Sequence, residues 1–441
     1  MALWITICHS TLWCAGGPIP GVHGPANDGE TEGDSGEGWC PLVRLGRVLY
    51  KRLKTTADAM FRDLIAESDE RNLDDGYDGG NATTPLLERV QLKASHEVTR
   101  GLGFPSTRYY GSKKRQLDWL REEFVKVRGK TVLDAFGGTG AVSHLWRNLG
   151  WNVTYNDTFT FNCVSANALF SSSTHIYSEE RMRLFLESVR SETGFIAQTF
   201  SGLYFFDNEN EWLDGLAVAL EGEEEAFRYL VLHCAFQACL QKRPFNLFHR
   251  ANLHLRTSTV DVKFGNRTTW ARPFVELMLN AYREVARLQL SSMRLPVYVN
   301  RPTAVADIEG VFDVVYIDPP YFKQAKKTES YLERYHFLEG LSRYREWPHM
   351  IDMNSPLKQI RRDVVREWAE KSDFRQNLVG LIEKYRSRQV ILSYVSGEYP
   401  SELDLLEIFK DNFDRVRLVR RSFSRALSKK KFFEILLIGR P

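Results

Sequence analysis

Asp313-Val314-Val315-Tyr316-Ile317-Asp318-Pro319-Pro320-Tyr321-Phe322 constrains the fold more than any other stretch of this chain. β-formers run into an acid, two prolines and a tyrosine. The apolar run predicts a buried parallel strand, and the prolines allow neither a continued ladder nor a following helix. Asp318 is thereby fixed at the carboxyl end of a strand, where open α/β sheets bind ligands. Pro319 and Pro320 stiffen the turn and leave carbonyls with no N–H of their own. Tyr321 adds a flat face beside a carboxylate and a carbonyl. Acceptors next to a ring face suit a planar heterocycle bearing an exocyclic amine. Alone, the segment also reads as a strand end and a rigid loop, so it needs a partner elsewhere.

The partner is Thr131-Val132-Leu133-Asp134-Ala135-Phe136-Gly137-Gly138-Thr139-Gly140. A second short apolar strand enters a glycine-rich turn, and a helix is expected from Ala141 to Leu149. Such glycines let the backbone approach a ligand that faces the helix N-terminus. Their spacing is not the dinucleotide-binding G-x-G-x-x-G. Trp151 to Asp157 forms another short strand ending in an acid. An acid about 20 residues past such a turn can accept from ribose hydroxyls, and Asp157 is close to that distance.

Asp134 to Gly140 followed by Asp318-Pro319-Pro320-Tyr321 resembles the DNA adenine methylases of the Dam-like class. Tyr109-Tyr110-Gly111-Ser112-Lys113, just before the first strand, is similar to that family's N-terminal Y-x-G-S-K element, and the three motifs keep the family's order. The resemblance runs from about Arg108 to Pro441 and leaves the first hundred residues uncovered. It implies an α/β fold: a Rossmann-like methyltransferase sheet, mostly parallel with a terminal antiparallel strand, plus an inserted helical target-recognition domain. It implies methyl transfer from S-adenosylmethionine to the N6 amine of a flipped-out adenine in double-stranded DNA, in a restriction-modification or host-protection setting. Asp318, Pro319, Pro320 and Tyr321 are then the catalytic set. Phe136, Gly137, Gly138 and Gly140 hold the cofactor, with Asp134 near its amino-acid end and Asp157 on its ribose. Tyr110, Gly111 and Lys113 join the cofactor set; Lys113, by itself readable as a solvated surface charge, is then at the cofactor's carboxylate or beside the target base. Asp307 is either a contact to the cofactor's adenine or a simple turn aspartate. No metal is required. Three alternatives stay open: a cytosine N4 amine, an RNA adenine, or a catalytically silent DNA-binding partner.

The rest of the chain fills in around these motifs. Its net charge is only +3, so any nucleic-acid footprint must be local. The best local candidate is Arg243-Pro244-Phe245-Asn246-Leu247-Phe248-His249-Arg250-Ala251-Asn252, followed by Arg256. Arg243, Asn246, His249, Arg250, Asn252, Arg256 and Lys323 are the expected DNA contacts, because Arg and Lys neutralise phosphates and Arg and Asn read base edges. A basic loop with buried aromatics is the plainer interpretation. Segments Glu179–Thr193, Glu223–Gln241 and Trp270–Gln289 are expected helices of an insertion at 166–293, between catalytic parts at 101–165 and 294–441. Strands are expected at Val297–Val299, Gln389–Tyr394, Val416–Ser422 and Phe432–Gly439, and a helix carrying Tyr331, Tyr335 and His336 over the site. Trp347–Lys371 is expected to be mobile or substrate-facing. The basic run from Arg415 to Lys431 is a solvated or phosphate-facing loop. Six cysteines without C-x-x-C pairs read as reduced thiols, and no histidine spacing suggests a metal. Nothing is apolar enough to span a membrane, and a cytoplasmic, prokaryotic location is expected. Residues 1–100 are expected to be a poorly ordered or accessory extension, with true initiation nearer Met60. A companion restriction endonuclease is a possible partner.

Overall fold

The computed structural model describes residues 104–106, 108–170, 177–257, 267–291, 295, 297–424 and 431–441. Expectations for residues 1–100 lie outside them, as does the part of the basic run at 425–430.

Seven strands form one sheet: β1 (Thr131–Asp134), β2 (Asn152–Tyr155), β3 (Val297–Val299), β4 (Val314–Ile317), β5 (Gln389–Val395), β6 (Arg415–Ser424) and β7 (Lys431–Arg440). Their spatial order is β3-β2-β1-β4-β5-β7-β6. β3, β2, β1, β4 and β5 pair in parallel, whereas β7 runs antiparallel to both β5 and β6. The sheet is thus parallel with one reversed strand near its end, as expected.

Side chains alternate across the two faces. Val132, Val314 and Tyr316 meet α1 (Leu117–Phe124) and α2 (Ala141–Asn148) through Trp119, Leu120, Phe124, Leu145 and Trp146. Leu133, Val315 and Ile317 face the other way. There they meet Phe374, Leu378 and Ile382 of one helix, Lys371–Lys384, and Leu405 and Phe409 of another, Glu402–Asn412. Every side chain of β4 is fully buried, so its position in the sheet is fixed by packing from both sides.

The chain lays down β1, then β2 and β3 on one side, then returns to β4 on the other side of β1. That reversal opens a crevice at the carboxyl ends of β1 and β4, the usual ligand position in open α/β sheets. Register places Asp134 beside Tyr316, two residues before Asp318.

Between β2 and β3 the elements among the described residues are helices, including α3 (Thr160–Phe170), α4 (Glu179–Ser188), α5 (Phe195–Phe200), α6 (Asp207–Ala219), α7 (Glu225–Lys242), α8 (His254–Thr257), α9 (Arg267–Ala271) and α10 (Phe274–Ser291). α6 lies between the segments expected to be helical. Its Leu213, Leu216 and Ala217 are buried, and this i, i+3, i+4 stripe pulls an acid-rich segment into helix. The inserted helices share one apolar cluster with α11 (Tyr331–Ser342), which follows β4. Through that cluster they are packed against the elements that carry the site.

Candidate active site

A cleft open to solvent lies at the switch point between β1 and β4. It brings together Tyr110, Gly111, Lys113, Asp134, Phe136, Gly137, Gly138, Asp157, Asp318, Pro319, Pro320 and Tyr321, which are far apart in the chain.

The glycine turn is shaped by contact with β2. Gly137 donates to Asn156 O at 2.8 Å, and Tyr155 Oη donates to Gly138 O at 2.8 Å. Gly140 is left-handed at φ 77° and starts α2, a conformation that disfavours any side chain. It does not line the cleft but ends the turn that does. Asp157 binds the turn directly: Oδ2 accepts from Gly138 N and Oδ1 from Phe159 N, each at 2.9 Å. Burial pushes its carboxyl upward. Asp134 is 1% exposed and accepts from Ser143 Oγ at 2.7 Å through Oδ2. Its Oδ1 is buried with no hydrogen-bond partner among the described residues. Burial, helped by the charges of Asp318 and Asp157, raises the Asp134 carboxyl to about 7.

Across the cleft, Lys113 is 4% exposed. Its ammonium donates to Asp318 Oδ1 at 2.6 Å and Oδ2 at 2.7 Å. Lys113 also donates to Tyr321 Oη, which donates to Asp318 Oδ1. The ammonium sits 4.8 Å from the centre of the Tyr321 ring. Lys113 therefore touches the carboxylate and the aromatic side chain that suit an amine-bearing heterocycle. Its turn is held by α11: Tyr110 N donates to Tyr335 Oη at 2.7 Å, and Tyr109 stacks on Tyr335 with centroids 4.9 Å apart.

Other expected residues fall elsewhere. Asp307 does not line this cleft; its side chain is 51% exposed and pairs with Arg366. His336 is fully buried among Tyr204, Phe248 and Phe337, hydrogen-bonded to Tyr204 Oη, and burial lowers it to about 3. It is a core residue and no base for the site.

The proposed DNA contacts divide. Arg243 is 1% exposed, donates to the carbonyls of Leu247 and Arg250, and lies over the rings of Tyr204 and Phe248. Arg256 is paired with half-buried Glu209 and donates to Trp270 O. Asn252 is buried and donates to Pro244 O at 2.9 Å. In all three, the polar head satisfies carbonyl or carboxylate groups inside the insertion. Asn246, His249, Arg250 and Lys323 stay at least partly accessible. Arg250, Arg334, Arg243 and Lys326 all depress the His249 imidazole after burial, so this loop and the one after Tyr321 share a positive environment.

Thr158, Phe159, Val305, Arg366, Glu367 and Trp368 also line the cleft, and nothing in their local sequence marks them. Among the described residues no group of His, Cys, Asp or Glu is placed to hold a metal, and no helix is long and apolar enough to cross a membrane.

No curated protein matches the chain. The sequence profile of the D12 class N6 adenine-specific DNA methyltransferase does match, over residues 109–346, more than half of the chain. That span runs from the Lys113 turn through both strands of the crevice and the Asp318 loop to the end of the helix that braces them. The chain belongs to the D12 class of N6 adenine-specific DNA methyltransferases.

Proposed function

We propose that this enzyme uses S-adenosylmethionine to methylate the N6 amine of an adenine flipped out of duplex DNA, at one short sequence. The observation that carries this is the pairing of Asp318 and Tyr321 with the glycine turn across a single crevice. Asp318 has a side chain only 15% exposed, and a base inside the stack cannot reach it. The target must therefore leave the duplex, as it does for other enzymes that act on base edges. Tyr321 stacks on the ring, and Asp318 with the Pro319 carbonyl accepts from the amine. Lys113 gives up a carboxylate oxygen as the amine arrives. These acceptors orient the nitrogen lone pair, and positioning and electrostatics supply most of the acceleration.

The cleft fits the cofactor. Asp134 Oδ1 is a buried acceptor without a partner among the described residues, suited to an ammonium group. Gly137, Gly138 and Asp157 offer backbone and carboxylate around it. When bound, S-adenosylmethionine supplies an electrophilic methyl on sulfur. The raised Asp134 gives a testable pH dependence. A carboxyl at about 7 holds its proton at lower pH, so the folded protein loses stability as pH rises from the ordinary carboxylate range to about 7. An ammonium ligand favours the ionised form. Binding of S-adenosylhomocysteine is therefore expected to tighten from pH 6 to 8 and to release a proton near neutrality. Calorimetry in buffers of different ionisation enthalpy reads that proton; an Asp134→Asn variant is expected to lose it.

DNA lies along the accessible basic face, with 166–293 as the recognition insertion. Arg250→Ala and Lys323→Ala are each expected to weaken DNA binding and to reduce the salt slope by about one. Fluorescence anisotropy over a salt series measures both. The setting is a restriction-modification or host-protection system. Single-molecule sequencing of DNA from cells expressing the chain, with an Asp318→Asn control, tests the whole reading. Methyladenine in one motif, absent from the control, is the expected result. No mark from a protein that binds S-adenosylmethionine and DNA overturns it.

A further inference from the structure

The strap at 366–368 lies beyond the matched span of 109–346 and belongs to none of the three motifs. Arg366, Glu367 and Trp368 nevertheless line the cleft. The Trp368 ring meets Phe136 edge to face, with centroids 5.0 Å apart and planes at 71°. Both rings pack against the apolar cluster that contains Val305, another cleft residue. The cleft thus has an aromatic, apolar corner as well as the acidic region around Asp134.

This wall is pinned from three loops. Glu367 accepts from Ser330 Oγ, from Tyr331 N at 2.8 Å and from Leu332 N at 3.2 Å, and so caps the N-terminus of α11. Arg366 pairs with Asp307, beyond β3, and its carbonyl accepts from Thr158 Oγ1, beyond β2, at 3.3 Å. Ala369 O accepts from Glu329 N, and Lys371 N donates to Lys327 O, each at 2.9 Å. The segment expected to be mobile or substrate-facing is hydrogen-bonded at its end to the loops that follow β2 and β4. Trp368 is only half-buried, although its neighbours hold it on several sides.

We infer that Trp368 is a cofactor-contacting residue, forming with Phe136 the corner that receives the planar base of an adenosyl ligand. Arg366 and Glu367 are the residues that hold this wall, and Asp307 acts on the cleft only through Arg366. A flat heteroaromatic ring needs an apolar aromatic surface, and the acidic region around Asp134 does not supply one. The inference rests on the S-adenosylmethionine reading and extends it to a part of the chain outside the family match.

The test uses the full chain labelled with 5-fluorotryptophan. The fluorine resonance missing from Trp368→Phe belongs to Trp368. Saturation with S-adenosylhomocysteine is expected to shift that resonance, and adenosine alone is expected to shift it in the same direction. By calorimetry, Trp368→Ala is expected to weaken S-adenosylhomocysteine binding at least tenfold and Trp368→Phe much less, while DNA affinity stays within twofold. A wild-type chain that binds S-adenosylhomocysteine while the Trp368 resonance stays still overturns the inference and leaves the cofactor reading intact. Trp368→Ala binding within twofold of wild type does the same. A wild-type chain that binds no S-adenosylhomocysteine overturns the cofactor reading and this inference with it.

Discussion

Asp318→Asn is expected to lower methyl transfer to DNA by about two to three orders of magnitude while the protein stays folded. The amide keeps the size of the carboxylate but offers one acceptor oxygen and an N–H₂ in place of the other. The target amine then meets a donor where it needs an acceptor. Alanine is a less clean probe, because it takes both the charge and every acceptor from Lys113, which is 4% exposed, whereas asparagine leaves that ammonium an amide oxygen. Removing one member of a buried pair costs about 3–5 kcal/mol, since the other charge is left without compensation. Asp318→Ala is therefore expected to be both inactive and markedly less stable. The double variant Asp318→Ala/Lys113→Met removes both charges and is expected to recover most of the stability and none of the activity. Labelled-methyl incorporation together with thermal unfolding separates these effects. Turnover by Asp318→Asn within tenfold of wild type would remove Asp318 from the reaction.

The second large effect is expected at Gly137. A Cβ there would lie 2.1 Å from Tyr155 Cε2 and 2.4 Å from Cδ2. The Tyr155 ring has nowhere to go: it is 0% exposed, and its hydroxyl is bonded to Gly138 O. Relief requires the turn and the end of β2 to separate, which pulls Gly138 from Asp157 and breaks the bond from Gly137 N to Asn156 O. Overpacking of this kind costs about 3 kcal/mol. Gly137→Ala is accordingly expected to lower the unfolding free energy by about that amount. The folded fraction is expected to bind S-adenosylhomocysteine at least tenfold more weakly. Denaturant titration and calorimetry measure the two losses. A variant of wild-type stability would show that the turn does not need its close contact with Tyr155.

These expectations draw on different sources of information. Asp318 and Gly137 were legible because each sits where a short apolar strand meets residues that cannot continue it. Prolines after Ile317 and glycines after Phe136 announce a strand end in any context. The other strands were readable from their own runs of β-formers. The exposure of the basic residues expected to meet DNA was not readable. Arg243 and Arg250 sit in the same basic, aromatic stretch, yet one is buried under Tyr204 and Phe248 and the other is exposed. Composition gives the charge of a loop and not the direction in which a guanidinium points. That direction depends on which carbonyls the folded loop turns inward.

By itself, the sequence determined the parts: an acid and a ring at one strand end, a glycine turn at another, and a lysine on a turn before both. Those follow from bonded geometry and side-chain chemistry, which act over a few residues. The tertiary structure decided their arrangement. The order β3-β2-β1-β4 made the crevice, and the cross-chain bonds of Lys113, Glu367 and Arg366 closed its walls. Contacts of that kind join residues far apart in the chain, and only packing of the whole core selects them.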